Sequence, residues 1–180
     1  VRSLHMRTLI GAAAGRAGVV VDAGWFAKAI ALARHMQRHK IAAVAISELR
    51  CNSTGVKTTP LIDGYVMVWR GADPTADSGR WKGRSGVGWI LSPLARSWWD
   101  GKHESEPTGR LLMLHFRLGG REGYLRAVAG YLPAGRGTTK SALGEWRRRR
   151  ERCFESLHKM LDLSGPGHIA MTAVFGDLNS

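Results

Sequence analysis

Residues able to do hydrolytic chemistry stand at the ends of apolar runs in this chain. "IAAVAISELR" ends its β-branched stretch at Glu48, and "YLRAVAGYLP" ends in Tyr131. "IAMTAVFGDLNS" passes through Gly176 to Asp177, with Asn179 two residues on. In open α/β sheets functional groups collect beyond the carboxyl ends of strands. If their strands are neighbours, Glu48 and Asp177 converge there. Two carboxylates with a nearby amide oxygen make a hard-oxygen site suited to Mg²⁺ or Mn²⁺. Gly176 permits a sharp turn, so that Asp177 and Asn179 can point one way. A phenol at a strand end can hydrogen-bond a phosphoryl oxygen or position a nucleophile. Each group also has a plainer reading. Glu48 can be a helix or loop charge, Asp177 with Asn179 an Asx-type turn, and Tyr131 a half-buried core side chain. Spacing alone leaves both open.

The bulk properties narrow the class. Lys and Arg number 27 against 14 acids, a formal net charge of +13. Such a surface attracts polyanions, of which nucleic acid is the commonest. A chain of 180 residues with 44% hydrophobic content suits one globular domain with a real core. Cys51 and Cys153 form no CxxC and have no histidine at ligand spacing, which argues against structural zinc and leaves one disulfide open. His35 and His39, four apart on an expected helix, lack an acidic partner and read as a solvated basic face. "LIGAAAGRAGVVV" is interrupted by Arg16 and is too short to span a membrane, so no membrane association is expected. The chain opens on Val1 rather than Met, which suggests a piece of a longer polypeptide.

Periodicity supplies the elements that must position these groups. Asp22 to Lys40 repeats Trp25, Phe26, Ala29, Ile30, Ala33 and Met36 at helical spacing. Ile41 to Ile46 reads as a strand buried on both faces. "DGYVMVW" (63–69) and "SGVGWILSP" (85–93) read as strands, with a Gly-, Asp- and Ser-rich loop from Gly71 to Ser85 between them. "LLMLHFRL" and "YLRAVAGYLP" form a hairpin around "GGREG". A second long helix starts at Thr138, with an apolar stripe of Leu143, Trp146, Phe154, Leu157, Met160 and Leu161 and a mostly solvated Arg147–Arg150 run, and stops at "SGPG". Ile169 to Phe175 is the last strand. Trp69, Trp81, Trp89, Trp98 and Trp99 lie in or near loops, where some can stack on bases while most serve the core or sheet edges. The order predicts a mixed α/β protein with helices packed on sheets.

"IAAVAISELR", "DGYVMVW", "SGVGWILSP", "VAGYLPAG" and "VFGDLNS" follow one another in the order and at the spacings of the endonuclease/exonuclease/phosphatase superfamily. Within it the chain most resembles the endonuclease domains of non-long-terminal-repeat retrotransposons and their craniofacial-development-protein-like relatives. The resemblance runs from about Ile41 to Ser180 and more loosely from Val1. It implies an α/β (α+β) sandwich of two β-sheets flanked by helices, present as a partial copy of a four-layer fold. The superfamily's metal-binding glutamate corresponds to Glu48, its active-site tyrosine to Tyr131, and its "GDxN" motif to Gly176, Asp177 and Asn179. In that family the aspartate activates or orients water, or assists the leaving group, and the asparagine contacts the scissile phosphate.

The resemblance therefore implies a Mg²⁺-dependent phosphodiesterase (Mn²⁺ being the other candidate) that nicks DNA inside the cell, in the nucleus. The rivals are a non-catalytic nucleic-acid-binding remnant of the same fold and a phosphatase of the same superfamily. Two departures stand out. "VRSL" matches the residues just after an early metal-site asparagine, and the family's later acids and its Ser-Asp-His-like ending have no counterpart. His168 precedes the last strand and cannot stand for that histidine. Residues 1–180 are thus expected to be the N-terminal portion of a single incomplete domain, weak or inactive by itself.

Overall fold

The computed structural model describes residues 4–5, 23–75, 85–117, 123–132, 139–161 and 169–177. The expected "GGREG" turn, the "SGPG" stop, Trp81, Asn179, the "LIGAAAGRAGVVV" segment and much of the 71–85 loop lie outside them. In chain order the elements are β1 (Leu4–His5), α1 (Ala23–Arg38), β2 (Ala43–Ser47), β3 (Lys57–Pro60), β4 (Val66–Gly71) and β5 (Gly86–Leu91). There follow α2 (Pro93–Trp98), β6 (Trp99–Ser105), β7 (Leu111–Arg117), β8 (Tyr124–Tyr131), α3 (Lys140–Leu161) and β9 (Ile169–Asp177).

Two mixed sheets result. One has the order β1-β2-β5-β4-β3 and the other β6-β7-β8-β9. The first is antiparallel apart from β1 on β2, and the second is antiparallel apart from β8 on β9. Side chains alternate along each strand, so every central strand feeds two layers. Val66 and Val68, Val87, Trp89 and Leu91, Leu112 and Leu114, and Ala127 and Ala129 meet between the sheets. Trp89 is the largest side chain there. Its indole N–H donates to the Leu112 carbonyl at 3.3 Å, and its ring meets Phe175 edge-on at 5.5 Å.

The alternate residues face outward and need cover. Val44, Ile46, Met67, Trp69 and Ile90 are covered by Trp25, Ala29, Ala33 and Met36 of α1. Leu111, Met113 and Val128 are covered by Cys153, Leu157 and Met160 of α3. The molecule is therefore an α+β sandwich of two sheets between flanking helices, as the sequence leads one to expect.

The details differ at several points. Pro93, read as a strand stop, opens α2 instead, and the Ser92 hydroxyl caps that helix by accepting from the Ala95 N–H at 3.2 Å. β3 and β6 have no counterpart among the strands expected from periodicity. On α3 the covering face runs through Cys153, Leu157 and Met160, at offsets of four and seven. Phe154 and Leu161 of the expected stripe are consequently exposed. Trp69 and Trp89 are buried core residues, as expected of most of the tryptophans. Both cysteines are free and buried, which removes the disulfide.

The sheet borders are unequal. β3 carries Lys57 and Pro60, and β6 carries Asp100, Lys102 and Glu104, charges and a proline of the kind that discourage strand addition. Among the described residues β9 is the end strand of its sheet, with Met171 and Val174 exposed.

Two measurements test this packing. Trp89→Ala empties the space between the sheets and should lower stability by about 3–5 kcal/mol, read as a lower urea midpoint with an unchanged slope. Burial pushes the Cys51 and Cys153 thiols up to about 12 from 9.0. Neither should then react with a thiol-specific chromogenic disulfide at mildly alkaline pH until the protein is unfolded, because the thiolate is the reactive form. Rapid labelling of the folded protein would contradict the burial.

Candidate active site

Glu48 follows β2 directly, and its backbone is left-handed, with φ of 59°. Arg50 has φ of 50°. Between them Leu49 is buried, and its N–H donates to the Gly86 carbonyl at 3.0 Å. A left-handed conformation costs a non-glycine residue about 1–2 kcal/mol. Here it is imposed from both sides, by the buried Leu49 and by the Cys51 N–H bonded to the Ser85 carbonyl at 3.3 Å. The tight contact explains Gly86, since a Cβ there would sit 2.8 Å from the Leu49 Cβ. Strain held by such surroundings clusters at functional positions.

The strained turn presents the Glu48 carboxylate to the second sheet. Its Oε1 accepts a hydrogen bond from the Tyr131 hydroxyl at 2.8 Å, across 83 residues of sequence. Its Oε2 lies 4.0 Å from Arg50 Nη2, a long contact that leaves this oxygen largely available. The Glu48 side chain keeps 19% of its surface exposed, enough to meet a ligand from solvent. Beside it the Ser47 hydroxyl is buried with no hydrogen-bond partner among the described residues.

Tyr131 ends β8, and the parallel register pairs it with Asp177 at the end of β9. One residue earlier Gly130 pairs with Gly176, whose φ is 152°. A Cβ on Gly176 would strike the Gly130 carbonyl, so no other residue fits immediately before Asp177. The backbone of Asp177 is thus fixed next to Tyr131.

Three of the four residues singled out in the sequence therefore come to one end of the sandwich: Glu48, Tyr131 and Asp177. Asn179 lies outside the described residues. The expected route to this convergence needs correction. β2 and β9 are not neighbours in one sheet but belong to opposite sheets, and Glu48 meets Tyr131 across the seam between them with the Asp177 backbone paired to Tyr131. Tyr131 is both things that its position allowed, a core ring at 8% exposure and a hydroxyl bonded to a carboxylate.

Sequence reasoning missed Arg110. Its guanidinium lies over the Tyr131 ring at 5.3 Å, and Nη1 donates to the Tyr131 carbonyl at 3.4 Å. The Tyr131 N–H in turn donates to the Arg110 carbonyl at 2.8 Å. Burial, the leading effect, pulls the Arg110 pKa down. The available signal was a charge standing directly before an apolar run, "RLLML", the mirror image of Glu48 behind its own run.

The donor set fits a hard cation. Mg²⁺ is commonly held by one or two carboxylates with the remaining positions filled by water and substrate phosphate. Glu48 offers a partly exposed carboxylate with one oxygen largely uncommitted. Among the described residues no group of three or more His, Cys, Asp or Glu side chains gathers at one point, so a dedicated all-protein cage is not formed by them.

No protein-family model matches the chain, and no curated protein matches it. Among solved structures it is similar to the AP endonuclease LMAP from Leishmania major, with 18% identity and a TM-score of 0.56. The match covers 84% of this chain and 50% of that one, so the chain spans about half the length of that endonuclease. At this identity the likeness establishes the fold: two packed sheets with flanking helices, in the arrangement of an AP endonuclease.

The strain at Glu48 is measurable. In a Tyr131→Phe background, where no buried phenol is left without its acceptor, Glu48→Gly should raise stability by about 1 kcal/mol, the left-handed cost less the entropy of the added glycine. A loss of stability of that size would mean that the turn is not strained.

Proposed function

We propose that the chain is the core of a metal-dependent phosphodiesterase acting on DNA, a nicking endonuclease of the retrotransposon-associated type. The observation that carries this reading is the 2.8 Å hydrogen bond between Tyr131 and Glu48 at the strand end where β9 delivers Asp177. A carboxylate, a phenol and a second carboxylate-bearing residue meet at a partly exposed seam. The endonuclease-like fold and the net charge of +13 support the same reading, since a long polyanion suits this surface better than a small phosphate ester. A nuclear location follows from the DNA substrate as part of the proposal.

In this reading Glu48 holds the cation. Bound Mg²⁺ or Mn²⁺ supplies charge neutralisation and polarisation of a P–O bond. Asp177 orients the attacking water in line with the leaving oxygen, and Asn179 contacts the scissile phosphate. The Tyr131 hydroxyl, whose one proton goes to Glu48 in the free chain, would turn that donor to charge developing on the phosphoryl oxygens once Glu48 holds the cation, its ring staying fixed in the core beside Arg110. The strained turn fixes Glu48 before substrate arrives, so that little reorganisation remains for the reaction itself.

The test has two parts. Mn²⁺ binding, followed by electron paramagnetic resonance, should be present in the wild-type chain and lost in Glu48→Gln; retained binding would remove Glu48 from the metal site. Supercoiled plasmid should be nicked weakly with Mg²⁺ and not with EDTA. Asp177→Ala should abolish nicking, and Tyr131→Phe should slow it by about 10²–10³-fold, the typical cost of one donor to transition-state charge. Nicking that persists in EDTA, or in Asp177→Ala, would overturn the proposal.

A further inference from the structure

A cavity of about 740 Å³ opens between α3 and the 106–110 turn that leads into β7. One face of α3 borders it with Arg148, Arg152 and Lys159, and Arg110 borders it from the turn. From Arg148 to Lys159 the helical rise gives about 16 Å of basic wall. Three acids also line the space, but two are committed elsewhere. Glu106 accepts from the Thr108 N–H at 2.9 Å, the Thr108 hydroxyl at 2.6 Å and the Arg110 N–H at 2.5 Å, which occupies it within its own turn. Glu145 pairs with Arg149. Among the described residues Glu155 then stands against Arg110, Arg148, Arg152 and Lys159, of which Arg110 also feels Glu106.

Arg110 is the central donor. It is 8% exposed, and among the described residues its guanidinium makes one hydrogen bond, from Nη1 to the Tyr131 carbonyl. Guanidinium offers five donors and stays charged. A buried cation with unused donors, opening on a basic cavity, is stabilised by an anion that can take them. Paired N–H groups match phosphate oxygens well. Because Arg110 also stacks on Tyr131, the cavity adjoins the candidate active site through a shared residue.

We infer that this cavity is a phosphate-binding subsite for the backbone of a polynucleotide strand, with Arg110, Arg148 and Arg152 as its donors. The inference rests on the proposed function for the identity of the polymer as DNA. A strand engaged at Tyr131 continues along the α3 face, and the cavity takes one of its flanking phosphates. The Arg147–Arg150 run does not act as one block. Arg149 lines the cavity but is paired with Glu145, Arg150 stacks on Trp146 at 5.1 Å and Phe154 at 5.6 Å, and Arg148 is the member that faces the cavity with no ion pair among the described residues.

The test is fluorescence anisotropy of a short labelled DNA duplex in EDTA, across a series of salt concentrations. Arg148 and Arg152 are exposed, so Arg148→Ala/Arg152→Ala should fold normally, checked by thermal melting. The slope of log K against log salt should become shallower by about 0.9 for each phosphate that the variant no longer neutralises. Lys140→Ala/Arg147→Ala removes the same charge from exposed positions of α3 outside the cavity and should leave the slope nearly unchanged. Equal changes in the two double variants, no change in the first, or no DNA binding by the wild type would overturn the subsite. DNA binding with the expected slopes but Mn²⁺ binding retained in Glu48→Gln would overturn the metal-site reading and leave the subsite standing.

Discussion

The structure depends on one constraint: each sheet is apolar on both faces, so each must be covered twice. Antiparallel sheets commonly leave one face to water. Here β2, β4, β5, β7 and β8 send side chains alternately inward and outward, and nearly every one is buried. The sheets cover each other, and α1 and α3 cover what remains. This sandwich has a seam at each end. Inside, apolar side chains and the Trp89 indole meet across the two sheets, but a carboxylate that also reaches solvent can meet the other sheet only at such a border, and Glu48 meets Tyr131 there.

The seam explains how a site can be rigid although its parts are distant in sequence. Tyr131 is a core residue whose hydroxyl happens to reach the border. Asp177 inherits its place from the parallel register and from Gly176, where a Cβ would strike the Gly130 carbonyl. Glu48 is different, because its turn is held against its own preference by Leu49, Gly86 and Cys51. The folding energy of the sandwich maintains that turn. Tyr131 and Asp177 thus stand at strand ends, and Glu48 on a turn that the layers hold in place.

Much of this was legible in the residues. The two-faced strands declared themselves as continuous apolar runs, and α1 and the apolar character of α3 followed from helical spacing. β3 and β6 did not, because "KTTP" and "WDGKHES" are border strands with too little burial to impose a pattern. α2 was hidden because proline reads equally as a strand stop and as a first helical residue. The covering face of α3 was displaced because Cys153, a small thiol, is buried while Phe154 is not. The meeting of Glu48 with Tyr131 had no local signature, and only the resemblance of the ordered motifs suggested it. Left-handed geometry at a glutamate has no sequence signal at all, and Arg110 acquires meaning only once the ring above it is known.

The exposed border of β9 bears on how the molecule behaves in company. Met171 and Val174 sit on a strand at the end of its sheet, while the other long borders are guarded by charge or proline. Such a border invites another strand to add to it. What opposes this between copies is the net charge of +13, a mutual repulsion that weakens as ions screen it. Ionic strength therefore acts on this chain in two opposed directions. It would loosen a hold on a polyanion, and it weakens the repulsion that opposes pairing along this border. The conditions that would release a polyanion are the ones in which this border is least protected.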